Sequence, residues 1–266
     1  MSQTTSRTTK AERKEAAKQA RLEAERRDAA AAARRRRLVQ LGAVIAAAGV
    51  ILVVAILASS GGGTKNASSG GAVNGATESR EMLAGIPQRG NTLGNPKAPV
   101  TLVEFADPQC PYCSQYTLNE MPKLVEKYVR TGKVKMELRL MTFIGADSVR
   151  SARALEAAGL QNKMWNAADI MYFNHGQENS GYMDDAYLKR VMGAVPGLDV
   201  SRALSQRNSS QVTSALQEVN PLAQRYGVNS TPSFLVGPSG GSLAKVNAPS
   251  ASADEIGKAI DKVATG

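Results

Sequence analysis

The stretch Val100-Thr101-Leu102-Val103-Glu104-Phe105-Ala106-Asp107-Pro108-Gln109-Cys110-Pro111-Tyr112-Cys113 constrains this chain more than any other. It opens as an apolar run of strand length and passes through a short loop. It then reaches the chain's only two cysteines, spaced Cys-x-x-Cys with a proline inside the pair. Directly afterwards Leu118, Met121, Val125 and Tyr128 recur at helical spacings of three and four. Pro122 sits inside that pattern, where it kinks or restarts a helix. The pattern predicts strand, loop, and a dithiol in the first turn of a helix. The free N–H groups and positive dipole end of a helix favour an anion there. A thiolate is that anion, so Cys110 is expected to be the acidified nucleophile and Cys113, one turn on, the thiol that closes the disulfide. Residues of these types in this order point to thiol–disulfide exchange.

Competing uses of the motif are weak. Two cysteines and one histidine cannot complete a four-ligand Cys/His zinc site within one chain. The net charge of +10 suggests a nucleic-acid partner, but its distribution does not. Residues 1–37 carry twelve Lys/Arg against five Asp/Glu, +7 of the total, and the remainder is nearly balanced. With one Trp and four Phe, platforms for stacking bases are not evident, so no nucleic-acid partner is expected.

The N-terminal third reads as three segments. Residues 1–37 form a basic tail rich in Ala, Glu, Lys and Arg, a solvated helix former with no stripe to bury. Residues 38–57 contain no charge, and as a helix they span roughly 30 Å, the thickness of a bilayer core. Arg34-Arg35-Arg36-Arg37 abut one end of this span and only Lys65 lies near the other, so the positive-inside rule places the N-terminus in the cytoplasm. The rival is a cleaved signal peptide, but no clear Ala-x-Ala site follows Leu57; the expectation is an uncleaved single-pass anchor in the lipid bilayer. Residues 58–77 are a Gly/Ser-rich tether that reaches on the order of 25 Å.

Residues 78–266 are expected to hold the folded domain. Lys133 to Leu140 alternates polar and apolar, a strand with one buried face, reached from the dithiol helix through Gly132. Residues 147–219 read as almost wholly helical, placing an insert at about 145–220. Within it Ser151–Leu160, Met164–Phe173, Tyr182–Met192 and Ser210–Tyr226 are the predicted helices, the last broken at Pro221. The chain returns to strand at Ser233–Gly237 and Ser242–Val246. It closes with a helix over Asp254–Val263, which Ser252 and Glu255 cap reciprocally.

Two segments carry a family resemblance. Thr101 to Cys113 resembles the active-site strand and loop of DsbA-like thioredoxin-fold proteins, and Tyr226-Gly227-Val228-Asn229-Ser230-Thr231-Pro232-Ser233-Phe234-Leu235-Val236 resembles their second signature, a Thr-Pro leading into a strand. The likeness covers roughly residues 84–264. It implies an α/β thioredoxin-like fold interrupted by a helical insert, here preceded by a transmembrane helix. Carried over by position, Cys110 is the exposed nucleophile, Cys113 the buried resolving thiol, and Pro232 a cis residue against the dithiol. Thr231, Pro111 and Tyr112 contact substrate, Thr231 by offering its backbone to an extended strand. Glu104 matches a buried acid that moves protons at the resolving thiol; the alternative is an edge-strand carboxylate facing water. Strongly oxidising relatives often carry histidine where Tyr112 stands. The only histidine, His175, reads as a surface or capping residue in the insert.

The resemblance implies a membrane-anchored, extracytoplasmic oxidoreductase, with no cofactor beyond its dithiol. It would introduce disulfides into folding secreted proteins and be reoxidised by a membrane quinone-linked partner. A reductase or isomerase using the same chemistry is the first alternative. A non-enzymatic metal-handling or substrate-binding module is the second.

Overall fold

The computed structural model describes residues 72–265. The basic tail, the apolar span 38–57 and all but the last residues of the tether lie outside the described residues. Among the described residues, no helix is long and apolar enough to cross a membrane.

The domain is organised on a six-stranded sheet of order β1-β2-β4-β3-β5-β6. Its strands are β1 (Gln88–Arg89), β2 (Thr92–Leu93), β3 (Val100–Ala106), β4 (Val134–Leu140), β5 (Ser233–Pro238) and β6 (Ala244–Lys245). β3 runs parallel to β4 and antiparallel to β5, and the other pairs are antiparallel. Both faces of β3 are covered, so all seven of its residues are buried and it reads as an apolar run. Leu102 and Ala106 pack into the larger core with Cys113 and Tyr116. Val103 and Phe105 pack on the opposite face with Val219, Ala223 and Leu235. β4 alternates as expected, burying Val134, Met136, Leu138 and Leu140. The edge-strand reading of Glu104 is overturned here. The residue lies between Leu138 of β4 and Phe234 of β5, in the middle of the sheet.

Helix α1 (Ala76–Leu83) precedes the sheet. It starts two residues inside the segment read as tether, and neither it nor the β1–β2 hairpin was expected. Its place is fixed by close packing: a Cβ on Gly75, whose φ is +76°, would lie 2.1 Å from the Phe173 ring. Asn74 and Asn174 also exchange two hydrogen bonds beside that contact.

The dithiol helix α2 (Pro111–Asn119) ends at Glu120, and Pro122 is the second residue of α3 (Met121–Leu124). Proline restarts the helix because a first-turn N–H has no intrahelical partner to lose. A π turn over Val125–Val129 follows, and Gly132, with φ +75°, releases the chain into β4.

The insert comprises α4 (Ala146–Gly159), α5 (Met164–Phe173), α6 (Asp185–Gly193), α7 (Val200–Gln206) and α8 (Ser210–Gln217). Asp184, Asp199 and Ser209 cap the last three by accepting backbone N–H groups, so α6 begins after Asp184 and not at Tyr182. Pro221 falls in the first turn of a separate helix, α9 (Val219–Arg225), whose Val219 and Ala223 cover the second core. Helix α10 (Ala253–Thr265) closes the fold. Its capping box forms as expected, Glu255 accepting from the Ser252 N–H and donating its own N–H to the Ser252 hydroxyl.

Candidate active site

β3 delivers the chain into the loop 107–110 at the centre of the sheet, and α2 starts from Cys110 itself. Cys110 is the N-cap of α2, with Pro111 in the first helical turn. Its Sγ accepts the Cys113 N–H at 3.4 Å and donates to the Thr231 carbonyl at 3.4 Å. Both cysteines are free thiols in this structure. Cys113 is fully buried, as expected, but Cys110 is only 4 % exposed, which corrects the expectation of an openly exposed nucleophile. The capping role explains it: a sulfur that satisfies helix N–H groups is folded against them.

The two thiols differ sharply in acidity. Hydrogen bonding from the Cys113 thiol is the largest influence on Cys110; with Thr231 and the first-turn N–H groups it outweighs burial and brings the Cys110 pKa down to about 6. Burial, then the neighbouring Cys110 sulfur, pushes Cys113 well above its ordinary value. One thiol is an anion near neutral pH and its partner keeps its proton.

Glu104 shares the face of β3 that carries Leu102 and Ala106, the face that packs toward α2. It is 1 % exposed, and burial raises its pKa to about 8. Its Oε2 is buried and unpartnered among the described residues, as is the hydroxyl of Tyr116. Burial dominates the raised pKa values of Tyr116 and Tyr172, and the charges of Glu104 and Cys113 act on both phenols. Glu104 is therefore a largely neutral acid at pH 7, and it and the resolving thiol act on the same two buried phenols.

The second signature meets the dithiol from β5. The Thr231–Pro232 peptide bond is cis, and the Thr231 carbonyl faces Cys110. Thr231 and Pro232 are half-buried, whereas Pro111 and Tyr112 are exposed, Tyr112 to 70 %. Phe143, 55 % exposed, stands on the β4–α4 loop, whose Ile144 N–H donates to Asp107. Two exposed aromatics thus stand on the segments that flank the loop carrying Cys110.

One part of the site was not foreseen. Asp107 is completely buried, accepting the Ser148 hydroxyl at 2.6 Å, the Gln109 N–H at 2.9 Å and the Ile144 N–H at 3.3 Å. The Gln109 side chain donates to Ser148 and accepts from the Asn179 N–H. His175 is not a free surface residue: its Nε2 is 2.6 Å from the Gln109 carbonyl oxygen. Asp107 and Gln109 stand in the quoted motif and could have been suspected as polar residues next to a buried strand. Ser148, His175 and Asn179 carry no local signal.

A dithiol at a helix start beside a cis proline, on a sheet of this order with a helical insert, defines a thiol–disulfide oxidoreductase of thioredoxin-like fold. A family model described as thioredoxin matches residues 88–262. The chain is 32 % identical over 188 residues to a probable disulfide bond formation protein D of Bacillus cereus, covering 70 % of this chain and 82 % of that one. Among solved structures, oxidised BdbD of Bacillus subtilis superposes with a TM-score of 0.59 at 22 % identity, over 69 % of this chain and 98 % of its own. Wolbachia pipientis α-DsbA1 does so with 0.54 at 22 % identity, over 70 % and 96 %. The chain belongs to the thioredoxin family and is a DsbA-like protein thiol–disulfide oxidoreductase.

Proposed function

We propose that this protein is a membrane-anchored, extracytoplasmic disulfide donor for folding secreted proteins. The observation that carries the reading is the split between the two thiols, an acidified Cys110 and a Cys113 held protonated. In the oxidised enzyme a substrate thiolate attacks Cys110 Sγ, the Cys110–Cys113 bond breaks, and Cys113 leaves as a thiolate that takes a proton. Glu104, neutral and buried nearby, is suited to supply that proton. A second substrate thiolate then attacks the substrate sulfur of the mixed disulfide and expels Cys110, whose low pKa makes it a good leaving group. The substrate loses two electrons and two protons, and the enzyme becomes the dithiol. A membrane quinone-linked oxidase would restore the disulfide. Thr231, Pro111 and Tyr112 would contact the substrate chain, with the Thr231 backbone adding it as a strand.

The uncharged segment 38–57 with Arg34–Arg37 at one end supports an anchor with the catalytic domain outside the cytoplasm. Protease added to intact cells would digest the catalytic domain in this orientation and spare the N-terminal tail; the reverse pattern rejects it.

One observation favours the reductase or isomerase reading. A Cys110 pKa of about 6 is closer to the roughly 7 of thioredoxin than to the roughly 3.5 of DsbA. Equilibrating the full-length protein against a glutathione series decides between them. A potential near roughly −120 mV marks a donor, and one near roughly −270 mV a reductase.

A further inference from the structure

We infer that His175 is a positioning residue for the reactive thiol: from the helical insert it holds the Gln109 carbonyl, and with it the peptide leading into Cys110. A carbonyl oxygen only accepts, so Nε2 carries the proton in this 2.6 Å contact. The ring is itself set in place. It meets Tyr182 edge-on at a centroid distance of 6.4 Å, and Tyr182 meets Tyr187 at 5.1 Å. A Cβ on the next residue, Gly176, would come within 3.0 Å of the Tyr182 ring, so the backbone at 175–176 packs flush against it. The same segment holds Gln109 a second time, through the Asn179 N–H on its side-chain oxygen at 2.7 Å. Both oxygens of the residue before Cys110 are thus bonded to the α5–α6 loop.

The consequence falls on the thiolate. The hydrogen bonds that favour charge on Cys110 Sγ, from the Cys113 thiol first and from the Cys113 N–H at 3.4 Å among the others, all depend on how the 107–110 loop enters α2. Without His175, the Gln109–Cys110 peptide keeps its N–H bond to the Asp107 carbonyl at 2.9 Å but loses the partner of its carbonyl, so it can tilt and turn that carbonyl dipole toward the sulfur, which disfavours the anion. The histidine acts from outside the Cys-x-x-Cys pair, 66 residues away in sequence.

The inference rests on Cys110 being the reactive sulfur. The test uses full-length protein, reduced, with His175→Ala and His175→Gln. Thiolate absorbance is followed against pH, the exchange rate with oxidised glutathione is measured at pH 6, and a thermal melt is recorded. The expected result is a raised thiolate pKa and a roughly three- to tenfold slower exchange in His175→Ala, the scale of one hydrogen bond, with most of both restored in His175→Gln, whose amide still donates. A wild-type pKa and rate in His175→Ala overturns the inference even if the melt shifts, because His175 is then only a packing residue. A glutamine variant no better than alanine also overturns it. If His175→Ala does not fold, His175→Gln alone decides, a wild-type pKa supporting the inference and a raised one rejecting it. Cys110→Ser must abolish the thiolate signal; if the signal persists, the assignment of the reactive sulfur is at fault and not the role of His175.

Discussion

Cys110 Sγ sits 3.4 Å from the backbone nitrogen of Cys113, so one residue of the dithiol is the helix cap that stabilises the other's position. The arrangement makes the two sulfurs chemically unequal before any substrate arrives. Cys110→Ser is expected to abolish exchange. Cys113→Ser cannot form the internal disulfide, but its Cys110 thiolate still attacks a disulfide of a substrate protein, expelling one substrate thiolate; with no resolving thiol to displace the other, mixed disulfides accumulate at Cys110. Non-reducing gels of cells expressing each variant check this, and an absence of thiol-sensitive adducts in Cys113→Ser rejects protein substrates.

The Cys110 pKa of about 6 sets a pH profile for attack by the reduced enzyme on a small disulfide. The rate should rise about tenfold per pH unit below 6, because only the thiolate attacks, and flatten above pH 7. Stability follows the same group. Its folded pKa is depressed from 9.0, so Cys110 contributes stability to the reduced protein that is full above pH 9 and is lost as pH falls toward 6. Stopped-flow kinetics across pH 4–10 would show an inflection near 6; one near 9 removes the acidified thiol.

Glu104 has the opposite sign. Its folded pKa of about 8 exceeds the ordinary 4.5, so it opposes folding increasingly as pH rises from 4.5 toward 8. Glu104→Gln removes that cost and is expected to stabilise the protein by on the order of 4 kcal/mol at pH 7.5 and by about nothing at pH 4. The same variant should slow release of Cys113, because the amide has no acidic proton to give. Urea melts at the two pH values, paired with exchange rates, separate these effects. Equal stability at both values means the carboxyl is not buried as described.

Asp107 anchors the loop that carries Cys110. Asp107→Asn turns a carboxylate that accepts from Ser148, Gln109 and Ile144 into a group with one donor facing a donor. A loss of about 1–3 kcal/mol is expected, with slower exchange at unchanged substrate thiol concentration. Ser252→Ala, at the start of α10 and beside Glu120 at the opposite end of α2 from Cys110, should cost about 1 kcal/mol through the α10 cap and leave exchange untouched. Equal loss of activity in both variants would make stability alone the cause.

Local signals made much of this architecture legible in the sequence. β3, α2, β4, β5 and the α10 cap follow from alternation, helical spacing and the Ser252/Glu255 pair. Helix α1 was not legible because a tether and a short helix share Ala, Ser and Thr, and the chain entering it is held at Asn74 and Gly75 by Asn174 and Phe173, about 100 residues away. The acid at position 104 was visible, but its place in the middle of the sheet depended on which strands flank β3. The partner of His175 was hidden for the same reason: nothing in Phe173-Asn174-His175-Gly176 indicates that the insert folds back onto Gln109.

Tyr112 bears on the redox potential of the dithiol. It occupies the first turn of α2, its side chain is 70 % exposed, and its backbone N–H helps hold the Cys110 sulfur. The phenol adds no charge there, whereas an imidazolium at the same place would attract the thiolate directly. Tyr112→His is therefore expected to lower the Cys110 pKa by about one unit. Stabilising the thiolate stabilises the reduced enzyme, so the potential should rise by roughly 30 mV, the equivalent of one pKa unit in a two-electron couple. Because the residue is exposed, folding stability in the oxidised form should barely change. Titrating the thiolate and equilibrating the same variant with glutathione tests both halves. A lower pKa with an unchanged potential would show that the reduced and oxidised forms gain equally, and that the charge at position 112 does not set the direction of transfer.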